Sequence, residues 1–256
     1  MPDWDPNLYL KFSDQRARPA ADLIAQIRLE NPQRIVDLGC GTGNSTEQLH
    51  HRWPEAEITG LDSSPEMLKQ AKQSHPDWNW IESPIESWQP ENTYDLVFSN
   101  AALHWLGDHE RLFPRLLNWL SPGGALAVQM PNNFLSPAHQ GMKKVAQDPC
   151  WNGALNGATE NYNVQPIAFY YRALSPLASN LNLWEVEYLQ IMNNTRAVLD
   201  WVRSTAMRGY LDRLPDEKSQ EQFEAMCLRE FEKCYPTEAS SKVLFPYRRM
   251  FIVVSR

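Results

Sequence analysis

The chain has little with which to staple or anchor itself. Its four cysteines, at 40, 150, 227 and 234 of 256 residues, form no CxxC pair and no Cys/His spacing of the kind a zinc site needs. They read as free thiols, and no metal is expected. Basic charge is in deficit: 24 Lys and Arg face 31 Asp and Glu, a net −7. That balance gives no diffuse attraction to phosphate backbones or anionic bilayers, so nucleic acid and membranes are poor partners. Any bound anion must be held by local arginines. No apolar run approaches a membrane span, and residues 1–10 lack the basic-then-apolar pattern of a secretory signal, so a cytoplasmic location is expected. There is no internal repeat and no low-complexity tract.

What is present suffices for one α/β core and an elaboration on it, since 43% of residues are hydrophobic and 11% aromatic. Short apolar runs at 34–38, 57–62, 78–82, 94–99 and 125–130 read as interior strands of a parallel sheet, separated by helical segments. Pro19 opens a helix over 20–29 with Leu23, Ile24 and Ile27 on one face. Asn44 caps a helix through Trp53, and Ser64-Pro65 is the cap and first turn of a helix through Ser74. Pro122-Gly123-Gly124 ends the helix through Leu120 and turns the chain into the fifth strand. Past Met130 the alternation stops. Residues 132–180 carry scattered Pro, Gly, Asn and aromatics, then two more strands are expected at 183–192 and 250–255, with helices over 196–206 and 216–233 between them.

Gly39, Gly41 and Gly43 follow the first strand and precede a helix, where glycine lets backbone approach a ligand. The spacing is GxGxG rather than GxGxxG, which half meets the dinucleotide fingerprint and admits a ligand without phosphates. Asp62 ends the second strand where a carboxylate accepts hydrogen bonds from ribose hydroxyls. Asp37 adds a charge that repels a phosphate and suits an ammonium. The bland alternative is a tight turn followed by a helix-capping acid.

The segments Asp37-Leu-Gly-Cys-Gly-Thr-Gly-Asn-Ser-Thr46, Gly60-Leu-Asp-Ser-Ser-Pro-Glu-Met67, Tyr94-Asp-Leu-Val-Phe-Ser-Asn100 and Val128-Gln-Met-Pro131 resemble class I methyltransferases. More narrowly, the chain resembles the trans-aconitate 2-methyltransferase family. That likeness runs nearly end to end, through residues 4–19, Asp200-Trp-Val202, 205–211 and 245–254. It implies an α/β fold: a Rossmann-like sheet with helices on both faces and a helical cap from two late insertions. The whole chain is then one methyltransferase domain. Its core is about 30–131 with 181–192 and 247–256, its N-terminal lid is 1–29, and its cap is 132–180 with 193–246.

The implied cofactor is S-adenosylmethionine, giving S-adenosylhomocysteine. The residues matched to its pocket are Asp37, Gly39, Cys40, Gly41, Gly43, Asp62, Ser63, Met67, Ser83, Ile85 and Asn100. Tyr9, Phe12, Arg16 and Arg18 lie in the segment that folds over the cofactor by resemblance. Their rings would shield the sulfonium and an arginine would meet the methionine carboxylate, with core packing or a plain surface helix as the alternative. The implied reaction is methyl-ester formation on one carboxylate of a small polycarboxylate. A carboxylate is already ionised at neutral pH, so no acid/base dyad is expected, only alignment and exclusion of water. Arginines suit such a substrate because a guanidinium forks onto a carboxylate. Arg208, Arg248 and Arg249 are the candidates, and Arg208 and Arg249 match family positions. Trp105, Asn133, Tyr170, Tyr171, Trp201 and Tyr210 complete the substrate set, although paired tyrosines such as 170 and 171 are commonly packing residues. His104, beside Trp105 after the fourth strand, is either a pocket residue or a base for a hydroxyl or amine acceptor. No obligate protein partner is inferred.

Three positions depart from the family pattern. Pro84 stands where the turn after the third strand commonly presents an aspartate to adenine, leaving Ser83, the Ile85 backbone or Glu86 to read the base. Asn132 replaces an acid, and Gly209 replaces the usual proline. The rival readings are a methyltransferase acting on a malonyl carrier protein, one acting on a hydroxyl or amine through His104, a non-catalytic S-adenosylmethionine-binding module, and a nicotinamide dehydrogenase. The loop spacing and Asp37 count against the last.

Overall fold

In the computed structural model the described residues are 13–151, 153–158 and 162–256. Tyr9 and Phe12 therefore lie outside the described residues, as does the side chain of Arg16.

Seven strands form one sheet: β1 (Arg34–Leu38), β2 (Glu57–Asp62), β3 (Asn79–Glu82), β4 (Tyr94–Asn100), β5 (Leu120–Pro131), β6 (Asn180–Met192) and β7 (Val243–Ser255). Their order is β3-β2-β1-β4-β5-β7-β6. Pairing is parallel from β3 through β5. It turns antiparallel where β7 lies on β5, from Ala125↔Ser255 to Pro131↔Arg249. The central strands are apolar on both faces because both are covered: Ile35, Val36, Leu38, Leu96, Val97, Phe98, Leu126 and Val128 are fully buried. After β1 the chain winds one way to β2, and β4 lies on the other side. The carboxyl ends of β1 and β4 thus border the crevice where ligands bind in open α/β sheets.

The helices are α1 (Ser13–Ile24), α2 (Asn44–Arg52), α3 (Pro65–Ser74), α4 (His109–Asn118), α5 (Pro137–Ala146), α6 (Ile167–Leu174), α7 (Thr195–Arg203), α8 (Arg208–Leu211) and α9 (Glu217–Cys234). No described helix is long and apolar enough to cross a membrane. The chain divides into two compact units. The first is 16–131, 162–186 and 249–256; the second holds the described residues within 1–15, 132–161 and 187–248. In the first, α4 presents Leu112, Phe113, Leu116 and Leu117 to the apolar core that also holds Val97, Leu126 and Ile252. In the second, α9 packs on α5 and α7. There the buried Glu224 takes ion pairs from Arg203 at 2.6 Å and Arg196 at 3.5 Å.

Several local expectations change. Asn44 is the first helical residue and exposed; the cap position belongs to Gly43, left-handed at φ 91°, with no side-chain cap. Ser64 does cap α3, accepting the Met67 N–H at 3.4 Å with Pro65 in the first turn. Asp216 likewise caps α9 by accepting the Ser219 N–H at 2.7 Å. Pro19 lies inside α1, not at its start. The buried face of Pro19, Ala20, Leu23 and Ile24 outweighs one lost backbone bond. Pro122-Gly123-Gly124 does not follow a helix end directly. It lies within β5, where the register jumps from Tyr94↔Leu120 to Leu96↔Ala125, so the extra residues bulge out of the ladder. α5 and α6 arise in the stretch 132–180 that showed weak periodicity. All four cysteines are free thiols, Cys40 and Cys227 buried.

Candidate active site

The glycine loop crosses from β1 to α2 and is held to β2 by its own backbone. Gly39 and Cys40 both donate to the Leu61 carbonyl, at 2.7 and 3.1 Å. Gly41 donates to Asp62 Oδ2 at 2.9 Å, and Asp62 Oδ1 accepts the Ser64 N–H at 2.9 Å. Each oxygen of Asp62 keeps a further lone pair, so its carboxylate is fixed in place with acceptor capacity in hand. Gly39 and Gly43 have no substitute here. Both have positive φ, 73° and 91°; a Cβ on Gly39 would lie 2.2 Å from Ala102 Cβ, and one on Gly43 would lie 2.8 Å from the Trp80 ring. Gly41, at φ 56°, has nothing within 4 Å of its Cβ position, which is open space on the loop.

Asp37 is fully buried rather than facing solvent. Its Oδ2 accepts hydrogen bonds from the Ser45 hydroxyl at 2.7 Å and the Thr46 hydroxyl at 2.8 Å, pinning the first turn of α2. Oδ1 has no hydrogen-bond partner. Burial raises its pKa to about 6 against the help of the two hydroxyls, with nearby Asp62 adding to the rise. Burial likewise pushes the Cys40 thiol well up, so it is an inert apolar filler beneath the loop.

After β3 the Ser83 N–H donates to the Asp62 carbonyl at 3.0 Å, and Arg115 of α4 donates to the carbonyls of Ile85 and Glu86. The turn that contains Pro84 is thus braced from α4, and Ile85 is buried. Ser63 and Met67 are half-buried where β2 passes into α3. S-adenosylmethionine fits this set of residues. The open space at Gly41 admits a ligand, Asp62 offers acceptors to ribose hydroxyls, and the unpartnered Oδ1 of Asp37 is an acceptor awaiting a cationic donor.

Beyond β4 a second group of polar side chains gathers. Asn100 ends β4 with its Oδ1 unpartnered, and Ala101 takes a positive φ of 55°. His104 sits buried in the 3-10 turn Leu103–Trp105, its ring 4.6 Å from Trp105 and 5.5 Å from Tyr162. Its Nδ1 has no partner. Burial first, then the charge of Arg249 and the neighbouring His109, lower its basicity to about 3. The imidazole is neutral at physiological pH and a weak base, which suits a pocket residue better than a proton acceptor. Arg249, buried at the end of the β5–β7 ladder, donates through Nη1 to Gln129 Oε1 at 3.0 Å. The Nε2 of Gln129 has no partner, although the residue is fully buried. An orphaned amide of this kind costs about 1–3 kcal/mol.

Other predicted residues stand elsewhere. Tyr170 is fully buried with its hydroxyl engaged: it accepts the Gln165 N–H at 3.1 Å and lies 2.7 Å from His109 Nδ1. His109 Nε2 donates to the Leu103 carbonyl at 3.0 Å, so Nδ1 accepts and Tyr170 donates. Tyr170 is therefore a core residue. Tyr171, next on α6, is exposed. Arg18 is exposed and pairs with Asp22 at 3.8 Å, and Arg248 is exposed and pairs with Glu187 at 3.7 Å. The second unit holds four more. Asn133 is buried with Nδ2 3.3 Å from His139 Nε2; Trp201 packs edge-on against Phe245 and Tyr247; Tyr210 stacks on Phe223 at 5.4 Å; Arg208 opens α8, half-buried. Sequence reasoning missed Trp80, Arg115 and Gln129. Only Gln129 left a signal, as a polar residue inside the apolar run of β5.

A methyltransferase domain family matches residues 35–124, the span from β1 into β5. The chain is 44% identical over 262 residues to trans-aconitate 2-methyltransferase of Escherichia coli O1:K1, covering 100% of this chain and 99% of that protein. It is 41% identical to the enzyme of the same name from Azoarcus sp. strain BH72, with 100% of both chains covered. The chain belongs to the trans-aconitate 2-methyltransferase family. Among solved structures, phosphoethanolamine N-methyltransferase 2 of Haemonchus contortus in complex with S-adenosyl-L-methionine superposes with a TM-score of 0.56 at 14% identity. That match covers 93% of this chain and 52% of that one, and it supports the class I methyltransferase fold. This family member is an S-adenosylmethionine-dependent methyltransferase.

Proposed function

We propose that the enzyme esterifies one carboxylate of a small polycarboxylic acid, most readily trans-aconitate, to a monomethyl ester with release of S-adenosylhomocysteine. The observation that carries this reading is the full-length identity to enzymes named for that acceptor. The chemistry of the first unit supports it. An ionised carboxylate attacks the sulfonium methyl without help from a base, and burial has taken the basicity of His104. A buried guanidinium, Arg249, supplies a charge of the right sign where carboxylates would be taken from water. In this reading Asn100 Oδ1 and Asp37 Oδ1 serve the methionine ammonium, and Trp105 shapes the acceptor region. Arg208, Trp201, Tyr210, Asn133 and Tyr171 enter it through their sequence motifs, as Tyr9, Phe12 and Arg18 do for the cofactor.

The deciding experiment is S-adenosylhomocysteine release with labelled donor, comparing trans-aconitate, cis-aconitate, citrate, isocitrate and a malonyl carrier protein with no acceptor. Preference for trans-aconitate with a base-labile methyl product is the expected result. Turnover on the carrier protein alone would assign a different carboxylate substrate. Silence on all of them, with the cofactor still bound, would overturn carboxylate esterification.

A further inference from the structure

We propose that Gln129 is an acceptor-binding residue, donating a hydrogen bond from its amide nitrogen to a carboxylate oxygen of the substrate beside the guanidinium of Arg249. This rests on the polycarboxylate reading above. The orientation of the amide is settled by its neighbour. A guanidinium can only donate, so the Gln129 oxygen must face Arg249, and does so at 3.0 Å. The NH2 group is thereby turned from the arginine, and it finds no partner although the side chain is fully buried. Interior strands rarely tolerate such a group without a use for it.

Its place in the sheet gives the use. Gln129 is register-paired with Asn100 across the parallel ladder and with Phe251 on the other side. Its carbonyl accepts the N–H of Ala101, the strained residue that turns the chain from β4 toward His104. Gln129, Asn100 and His104 therefore each bring an unpartnered polar atom to the carboxyl-terminal edge of β4 and β5, where this fold binds ligands. A neutral amide suits the task. It orients a carboxylate without pairing off its charge, whereas a second cation in contact with the same oxygens would lower their nucleophilicity. The amide is closed off from water, the surroundings in which methyl transfer is protected from hydrolysis.

The test compares wild type, Gln129→Leu and Gln129→Glu for acceptor kcat and KM at saturating S-adenosylmethionine, for cofactor affinity, and for Tm. Gln129→Leu should raise the trans-aconitate KM by about tenfold or more with cofactor affinity unchanged. Gln129→Glu, nearly identical in size, should lose more, because its charge occupies Arg249 and repels the acceptor. A packing role would lower Tm in both and leave the KM of the folded enzyme alone. An unchanged acceptor KM in folded Gln129→Leu overturns the assignment; should that variant not fold, an unchanged KM in Gln129→Glu does so. Wild type that turns over no polycarboxylate removes the functional reading and this inference together, whereas active wild type with indifferent variants removes only the inference.

Discussion

The Gly41 amide and the Asp62 carboxylate are joined by a 2.9 Å hydrogen bond that ties the glycine loop to the end of β2. Asp62 thus sets the loop's conformation and, in the proposed reading, also presents acceptors to a ribose. Asp62→Ala should weaken S-adenosylmethionine binding by about tenfold to a hundredfold, the loss of charge-assisted hydrogen bonds worth roughly 1.5–3 kcal/mol. Asp62→Asn should fall between, because its amide keeps one acceptor. Calorimetric titration with the cofactor checks both, and an unaltered dissociation constant in Asp62→Ala would remove the ribose role.

Trp80 fills the space that Gly43 and Gly60 leave: a Cβ at Gly60 would come within 2.4 Å of its ring and one at Gly43 within 2.8 Å. Gly43→Ala should cost about 1–3 kcal/mol through left-handed strain and this clash together. Trimming the ring in Gly43→Ala/Trp80→Leu should return the steric part but not the strain. A double-mutant cycle on urea denaturation reads the coupling; strict additivity would show that the ring and the loop are independent.

Asp37 carries the clearest pH signature. Its folded value of about 6 lies above the ordinary 3.8 because burial disfavours the charge. Between these values the folded chain binds the additional proton, so stability is complete below about pH 4 and declines as pH rises through 6. In full this amounts to about 3 kcal/mol. Asp37→Asn should flatten that slope and raise the Tm of the cofactor-free protein at pH 7. Binding of a cationic ammonium should draw the proton off Asp37, so titrations at pH 6 in buffers of different ionisation enthalpy should show proton release that the variant lacks.

His104 runs the other way. Its folded value near 3 lies below the ordinary 6.5, so the folded state binds fewer protons between these limits and its stability contribution falls as pH drops through that window. With the ring already neutral, log kcat should be level from pH 6 to 9. His104→Phe should retain kcat within about tenfold, the lower end of what a general base contributes. A kinetic limb near pH 6.5 that vanishes in His104→Phe would restore the base.

Much of the first unit was legible because its signals are local. β1 and β2 fall on the bounds that their apolar runs define, and the Ser64-Pro65 pair caps α3 as its residue types require. Helix caps were less secure: Asn44 has the right chemistry, but Gly43, already committed to positive φ by the loop, takes the position. α5 and α6 escaped notice because their apolar faces are short and interrupted by loops rich in Asn, Pro and Gly.

By itself, then, the sequence determined the wound sheet, the glycine loop with the acid that ends β2, and family membership, because periodicity, turn chemistry and motif spacing act over a few residues. Only the tertiary structure decided which polar groups are buried without partners. Gln129 and Arg249 are 120 residues apart in the chain, and nothing local to either foretells their hydrogen bond. The same holds for the lost basicity of His104 and the raised value of Asp37. Desolvation belongs to everything packed around a group, and that is set only when distant strands close over it.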